Sequence, residues 1–138
     1  MFTGGILTVG GLDGSNSSTV EIFNPKSGRS CKIGDLPVAT WGLTLCGNLA
    51  CGGWNSRRSC SRFDGAGTFT ALSVTLRELR AEHLCWQLQS GSVLLLGGGK
   101  SRSTTERLRT SWNGTSSTAD FRLPYDIRFI FDLIIYNE

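Results

Sequence analysis

His83 is the only histidine in the chain, so any serine-hydrolase chemistry would have to use it as the base. No serine sits in the Gly-x-Ser-x-Gly turn that exposes such a nucleophile. The acidic residues are scattered, and no spacing argues for a paired-carboxylate site. The five cysteines are Cys31, Cys46, Cys51, Cys60 and Cys85. None falls in a Cys-x-x-Cys pair, which argues against a zinc or redox centre. The odd count leaves at least one unpaired. Cys46 and Cys51 flank a tight turn and are placed to come close, and most of the five read as small buried strand residues. Gly97-Gly98-Gly99-Lys100-Ser101 has the flavour of a phosphate loop. It lacks the full Gly-x-x-x-x-Gly-Lys-Ser/Thr spacing and no helix follows, so it reads as a loop between strands. The expectation is a chain without catalysis, metal or cofactor.

Such a chain needs elements that display loops, and its glycines show where they are. Eighteen of 138 residues are glycine, against a usual ~7%. They cluster between short apolar runs, the punctuation of many short strands. The net charge of +3 is spread along the sequence without the dense basic stripe of a nucleic-acid domain, so no nucleic-acid partner is expected. No apolar segment approaches the ~20 residues of a membrane span. The start, Met1-Phe2-Thr3-Gly4-Gly5, has no basic region before its apolar run and does not read as a signal peptide. The chain as given thus reads as cytoplasmic, with an extracellular parent left open by two glycosylation sequons, Asn16-Ser17-Ser18 and Asn113-Gly114-Thr115.

A repeat organises these strands. An apolar run ending in a glycine pair occurs three times: Ile6-Leu7-Thr8-Val9-Gly10-Gly11, Leu49-Ala50-Cys51-Gly52-Gly53 and Val93-Leu94-Leu95-Leu96-Gly97-Gly98. About ten residues later comes a second strand, Val20-Glu21-Ile22-Phe23-Asn24, Cys60-Ser61-Arg62-Phe63-Asp64 and Thr105-Glu106-Arg107-Leu108-Arg109. Turn residues follow at Asn24-Pro25-Lys26-Ser27-Gly28, Asp64-Gly65-Ala66-Gly67 and Asn113-Gly114. A third strand ends at Leu36-Pro37, Leu72-Ser73 and Leu123-Pro124, and a fourth covers residues 41–46, 83–88 and 127–136. Residues 75–83 are charged and ambiguous between helix and loop. Four strands every ~40–50 residues predict an all-β chain of propeller-type blades rather than a sandwich, which has no reason to repeat.

These residues resemble the kelch family. The likeness rests on the glycine pairs, the Val-x-x-Phe-Asn strand and its turn, the Leu-Pro, and Arg80-Ala81-Glu82-His83 before the next strand. It covers residues 6–124, with a weaker third unit. Ile33 and Phe69 replace a tryptophan frequent in the family, and Leu108 stands in an aromatic position. The resemblance implies a partial kelch-type β-propeller of about three four-stranded antiparallel blades, with units at residues 6–40, 41–82 and 83–126 and an atypical tail at 127–138. The strands then number three, four, four and one, about half a ring. The chain is expected to be part of a longer propeller, a fragment that does not fold alone, or a protomer that self-associates to complete a ring. Gly10, Gly11, Gly52, Gly53, Gly97, Gly98, Phe23, Phe63, Pro37 and Pro124 are the structural repeat residues. Copper oxidases related to galactose oxidase share such blades but need tyrosine and histidine ligands and a Cys–Tyr link. Tyr125, Tyr136 and His83 are too few for that site.

Strands that alternate up and down put the loops after the glycine pairs and after the Leu-Pro strands on one face. The candidate partner-binding residues there are Trp54, Arg57, Arg58, Arg77, Arg80, Lys100 and Arg102, with Asp13, Glu82, Arg122 and Trp41 beside them. Arginine and tryptophan are enriched at interface hot spots, and the resemblance implies a protein partner. The expected function is a non-enzymatic protein-protein interaction scaffold. The alternative is an extracellular, carbohydrate-associated propeller related to galactose oxidase, without copper chemistry.

Overall fold

The computed structural model describes residues 5–99, 102–111 and 114–122, with the side chains of the last strand and of residues 110–111 excluded. Among these residues, eleven strands form three antiparallel sheets in chain order. Sheet 1 contains β1 (Ile6–Asp13), β2 (Ser15–Asn24) and β3 (Arg29–Asp35). Sheet 2 contains β4 (Leu43–Cys46), β5 (Leu49–Gly52), β6 (Ser59–Phe63) and β7 (Phe69–Thr75). Sheet 3 contains β8 (Leu84–Gln87), β9 (Val93–Leu96), β10 (Thr104–Ser111) and β11 (Gly114–Arg122). Each sheet is ordered as a simple meander. No helix occurs among the described residues, and residues 76–83 form a loop. Pro124, Tyr125, Tyr136, the tail at 127–138 and the Asn113 sequon lie outside the described residues.

The three sheets use one register. Val9 faces Val20, Cys51 faces Cys60 and Leu96 faces Thr105 across the strand pair. Each pair sits one residue before the first glycine of its motif. Counting from these pairs, Glu21, Ser61 and Glu106 share a position, as do Phe23, Phe63 and Leu108. The first glycines have positive φ, 65° at Gly10, 69° at Gly52 and 61° at Gly97, a region that penalises any side chain. Space is short as well. A Cβ on Gly10 would meet the Thr40 carbonyl and the Leu43 side chain, and one on Gly52 would meet the Arg80 carbonyl and the His83 ring.

Those neighbours identify the joint that ends each unit. Gly11 N–H donates to the Thr40 carbonyl at 3.0 Å, and Gly53 N–H to the Arg80 carbonyl at 2.9 Å. Thr40 N–H donates to Ser17 at 3.0 Å, and Arg80 N–H to Arg57 at 2.8 Å. Leu36 N–H donates to Ser18 at 2.6 Å, and Leu76 N–H to Arg58 at 2.8 Å. Leu76 is therefore the counterpart of Leu36, and the end of the third strand read at Leu72-Ser73 is four residues early. Leu72 and Ser73 lie inside β7, which runs on to Thr75. The hairpin turns are also built alike. The Asn24 side chain accepts from the Lys26 and Ser27 amides, and Asp64 accepts from those of Ala66, Gly67 and Thr68. These bonds, Ala66 first, hold the Asp64 carboxyl below its ordinary pKa.

Period-two alternation gives sheet 2 two working faces. One packs on sheet 1 through Val20, Leu36, Ala50 and Phe69, with Leu43, Leu45 and Phe63 around them. Phe63 stacks on Phe69 with ring centroids 4.9 Å apart. The other packs on sheet 3 through Leu49, Leu76, Val93, Leu95 and Leu108. Phe23 belongs to neither core; its position is the one from which Phe63 and Leu108 face the preceding sheet.

The cysteines correct the sequence reading. Cys46 is bonded to Cys85, with Cα atoms 6.0 Å apart, and Cys51 to Cys60, at 4.2 Å. Cys46 and Cys51 thus take separate partners instead of meeting each other. The first bridge ties β4 to β8, joining two sheets. The second cross-links directly opposed residues of β5 and β6. Cys31 is free and exposed.

Candidate functional site

Three segments converge at one end of the sheets: residues 53–58, residues 76–83, and residues 97–99 with 102–104. The amides of Leu76 and Arg80 bind the carbonyls of Arg58 and Arg57, which joins the first two. The Arg80 side chain joins the third. Its guanidinium donates to the Gly97 carbonyl at 2.8 Å, the Thr104 carbonyl at 3.1 Å and Thr104 Oγ1 at 3.0 Å.

Arg80 therefore does not belong to the exposed binding set in which the sequence placed it. It is fully buried, as is Glu106, which receives Arg80 Nε at 3.3 Å. The other Glu106 oxygen accepts the Arg77 amide at 2.7 Å. Burial pulls the Arg80 pKa down and the Glu106 charge pushes it back. An unpaired charge in this place would be costly, so the pair acts as an internal strut. His83 lies beside it, fully buried, with neither ring nitrogen hydrogen-bonded among the described residues. Burial, and secondarily the Arg80 charge, push its pKa down to about 3. A neutral, enclosed imidazole in the position of Leu43 is a core side chain.

The rest of the set is on the surface. Arg58, Arg77 and Arg102 are exposed, and Arg102 Nε donates to Gly99 at 3.2 Å. Arg57 is half-buried. Its Nε donates to the Trp54 carbonyl at 2.9 Å, and its guanidinium carbon lies 5.0 Å from the Trp54 ring centroid, a cation–π contact. Trp54 also stacks on Trp41, with centroids 5.4 Å apart at 26°, and its buried indole nitrogen has no hydrogen-bond partner among the described residues. Asp13 is exposed, and Glu82 is half-buried with φ 52°, matching Gly42 at 65° one unit earlier. Lys100 and the Arg122 side chain lie outside the described residues.

No family model and no curated protein matches this chain. What the loop end can do rests on its own chemistry. The loops of this end carry three exposed arginines and a Trp–Trp–Arg stack, side chains suited to carboxylate-rich or planar partners. Glu106 was missed as a functional residue. Its signal was present, because glutamate occupies the same place in Val20-Glu21-Ile22 and Thr105-Glu106-Arg107.

Proposed function

We propose that the chain is a segment of a kelch-type β-propeller that acts as a non-enzymatic protein-protein interaction scaffold. The observation that carries this reading is the convergence on one end of loops bearing Arg58, Arg77, Arg102 and the Trp54–Arg57 contact, with Trp41 stacked on Trp54 from the segment before β4. Meander sheets with one register and one joint support the propeller part of the proposal. The partner is a protein with an acidic surface, and a second copy of the chain completes the ring. The test is affinity capture from the source organism with wild type and Arg58→Glu/Arg77→Glu. A protein retained by the first and lost by the second is expected. Equal retention, or none, contradicts the proposal.

A second reading is favoured by one observation. Two disulfides are the mark of an oxidising compartment, which fits an extracellular, carbohydrate-associated propeller related to galactose oxidase and lacking copper chemistry. It predicts glycan on Asn16, an exposed residue of β2. Peptide mass mapping of native material decides it: an occupied Asn16 favours this reading, and reduced cysteines without glycan favour the first.

A further inference from the structure

The cradle that grips Arg80 occurs a second time with the same residue types. In sheet 3 it consists of the Gly97 carbonyl, Thr104 and the Glu106 carboxylate. The shared register maps these onto Gly10, Thr19 and Glu21 of sheet 1. In sheet 2 the same positions hold Gly52, Ser59 and Ser61, so the carboxylate is lost there. Sheet 1 alone repeats glycine, threonine and glutamate.

This second cradle is open. Leu7, Val9 and Val20 of sheet 1 pack toward sheet 2, so by alternation Thr8, Thr19 and Glu21 face the other way. They line a concavity of about 330 Å³ together with Gly10 and Asp13. Two carboxylates and no basic side chain line it. The Glu21 side chain is half-buried and makes no ion pair or hydrogen bond among the described residues. A carboxylate beside a threonine hydroxyl and a strand-end carbonyl is a forked acceptor set, the complement of a planar guanidinium.

We propose that the outward face of sheet 1 is an arginine-binding interface. The occupant is a polypeptide segment from another chain that delivers an arginine as Arg80 is delivered to sheet 3. Charge complementarity and the occupied copy of the cradle both specify guanidinium over ammonium, since Arg80 uses Nε and both terminal nitrogens at once. This face differs from the loop end proposed above, and each can fail without the other.

The test titrates the intact chain with a synthetic peptide of residues 76–83, the segment that fills the sheet 3 cradle, and follows the Thr19 and Glu21 amide signals by NMR. The wild type is expected to shift on addition of the peptide. Glu21→Gln, on a half-buried residue that the fold does not require charged, is expected to weaken binding about tenfold or more, as loss of a charge-assisted pair does. A peptide with Arg80→Lys is expected to lose a similar factor. Unmoved signals, equal binding to Glu21→Gln, or equal binding of the lysine peptide would overturn the proposal. Propylguanidinium binding as tightly as the peptide would also overturn it, by making the occupant a small molecule.

Discussion

The joint between sheets 1 and 2 and the joint between sheets 2 and 3 have the same backbone and opposite fillings. Both are closed by paired amide bonds, Gly11 to Thr40 and Gly53 to Arg80. At the second joint Arg80, His83, Leu95 and Glu106 fill the space, and a disulfide crosses it. At the first joint the same positions hold Thr40, Leu43, Ala50 and Ser61. There a cavity of about 100 Å³ remains, lined by Thr40, Ala50, Gly52, Ser59 and Ser61 among others. It occupies the place of the missing ion pair. The comparison teaches that the backbone joint defines the unit. Side chains at the joint are free to be ionic or apolar provided that charges come in pairs.

The largest effect should come from breaking the pair. Glu106→Gln keeps the shape and leaves buried Arg80 without its hydrogen-bonded counter-charge, the exposed Glu78 acting on it only at a distance, so about 3 kcal/mol of stability should be lost. Urea unfolding measures this, and a loss comparable to that of a surface substitution would refute the strut. Next come the disulfides. Loop-closure entropy assigns about 4 kcal/mol to Cys46–Cys85 and about 2.5 kcal/mol to Cys51–Cys60, from sequence separations of 39 and 9. Paired alanine substitutions should rank in that order. The second bridge should be the more replaceable, because Val9 and Val20 fill its position in sheet 1.

His83 gives the next effect. Its folded pKa, about 3, lies below the unfolded value near 6.5, so the unfolded chain binds the proton first. Stability is therefore full above about pH 6.5 and falls as the pH drops toward 3. From pH 7 to pH 5 the loss should be about 2 kcal/mol, at ~1.36 kcal/mol per pH unit. The lowered carboxyls of Asp35 and Asp64 act below about pH 4 and do not enter this window. His83→Leu, which copies Leu43, should flatten the slope in urea midpoints. The smallest effect belongs to the first joint. Ala50→Val should fill part of the cavity and raise stability by about 0.5–1 kcal/mol, seen as a higher thermal midpoint.

Much of this architecture was legible in the sequence. The glycine pairs stand where φ is positive, with space short at Gly10, Gly52, Gly53 and Gly98, and Asn24 and Asp64 close equivalent turns. Local chemistry fixes such features, so local residues reveal them. The illegible parts depend on partners far along the chain. Arg80 reads as a loop cation until Glu106, 26 residues away, is placed against it. Cys85 reads as a small strand residue until β8 is laid beside β4. Leu72 reads as the counterpart of Leu36 because no proline follows Leu76 to mark it, and only the bond from Leu76 to Arg58 identifies the matching leucine.

The most direct test of the shared joint is to transplant the pair. Thr40→Arg and Ser61→Glu, made singly and together, form a double-mutant cycle read by urea unfolding. Each single change should destabilise the chain, because it places an unpaired charge in the cavity. The double variant should recover through a coupling of about 2 kcal/mol. Independent, additive losses would contradict the equivalence of the two joints, and with it the repeat on which this account of the molecule rests.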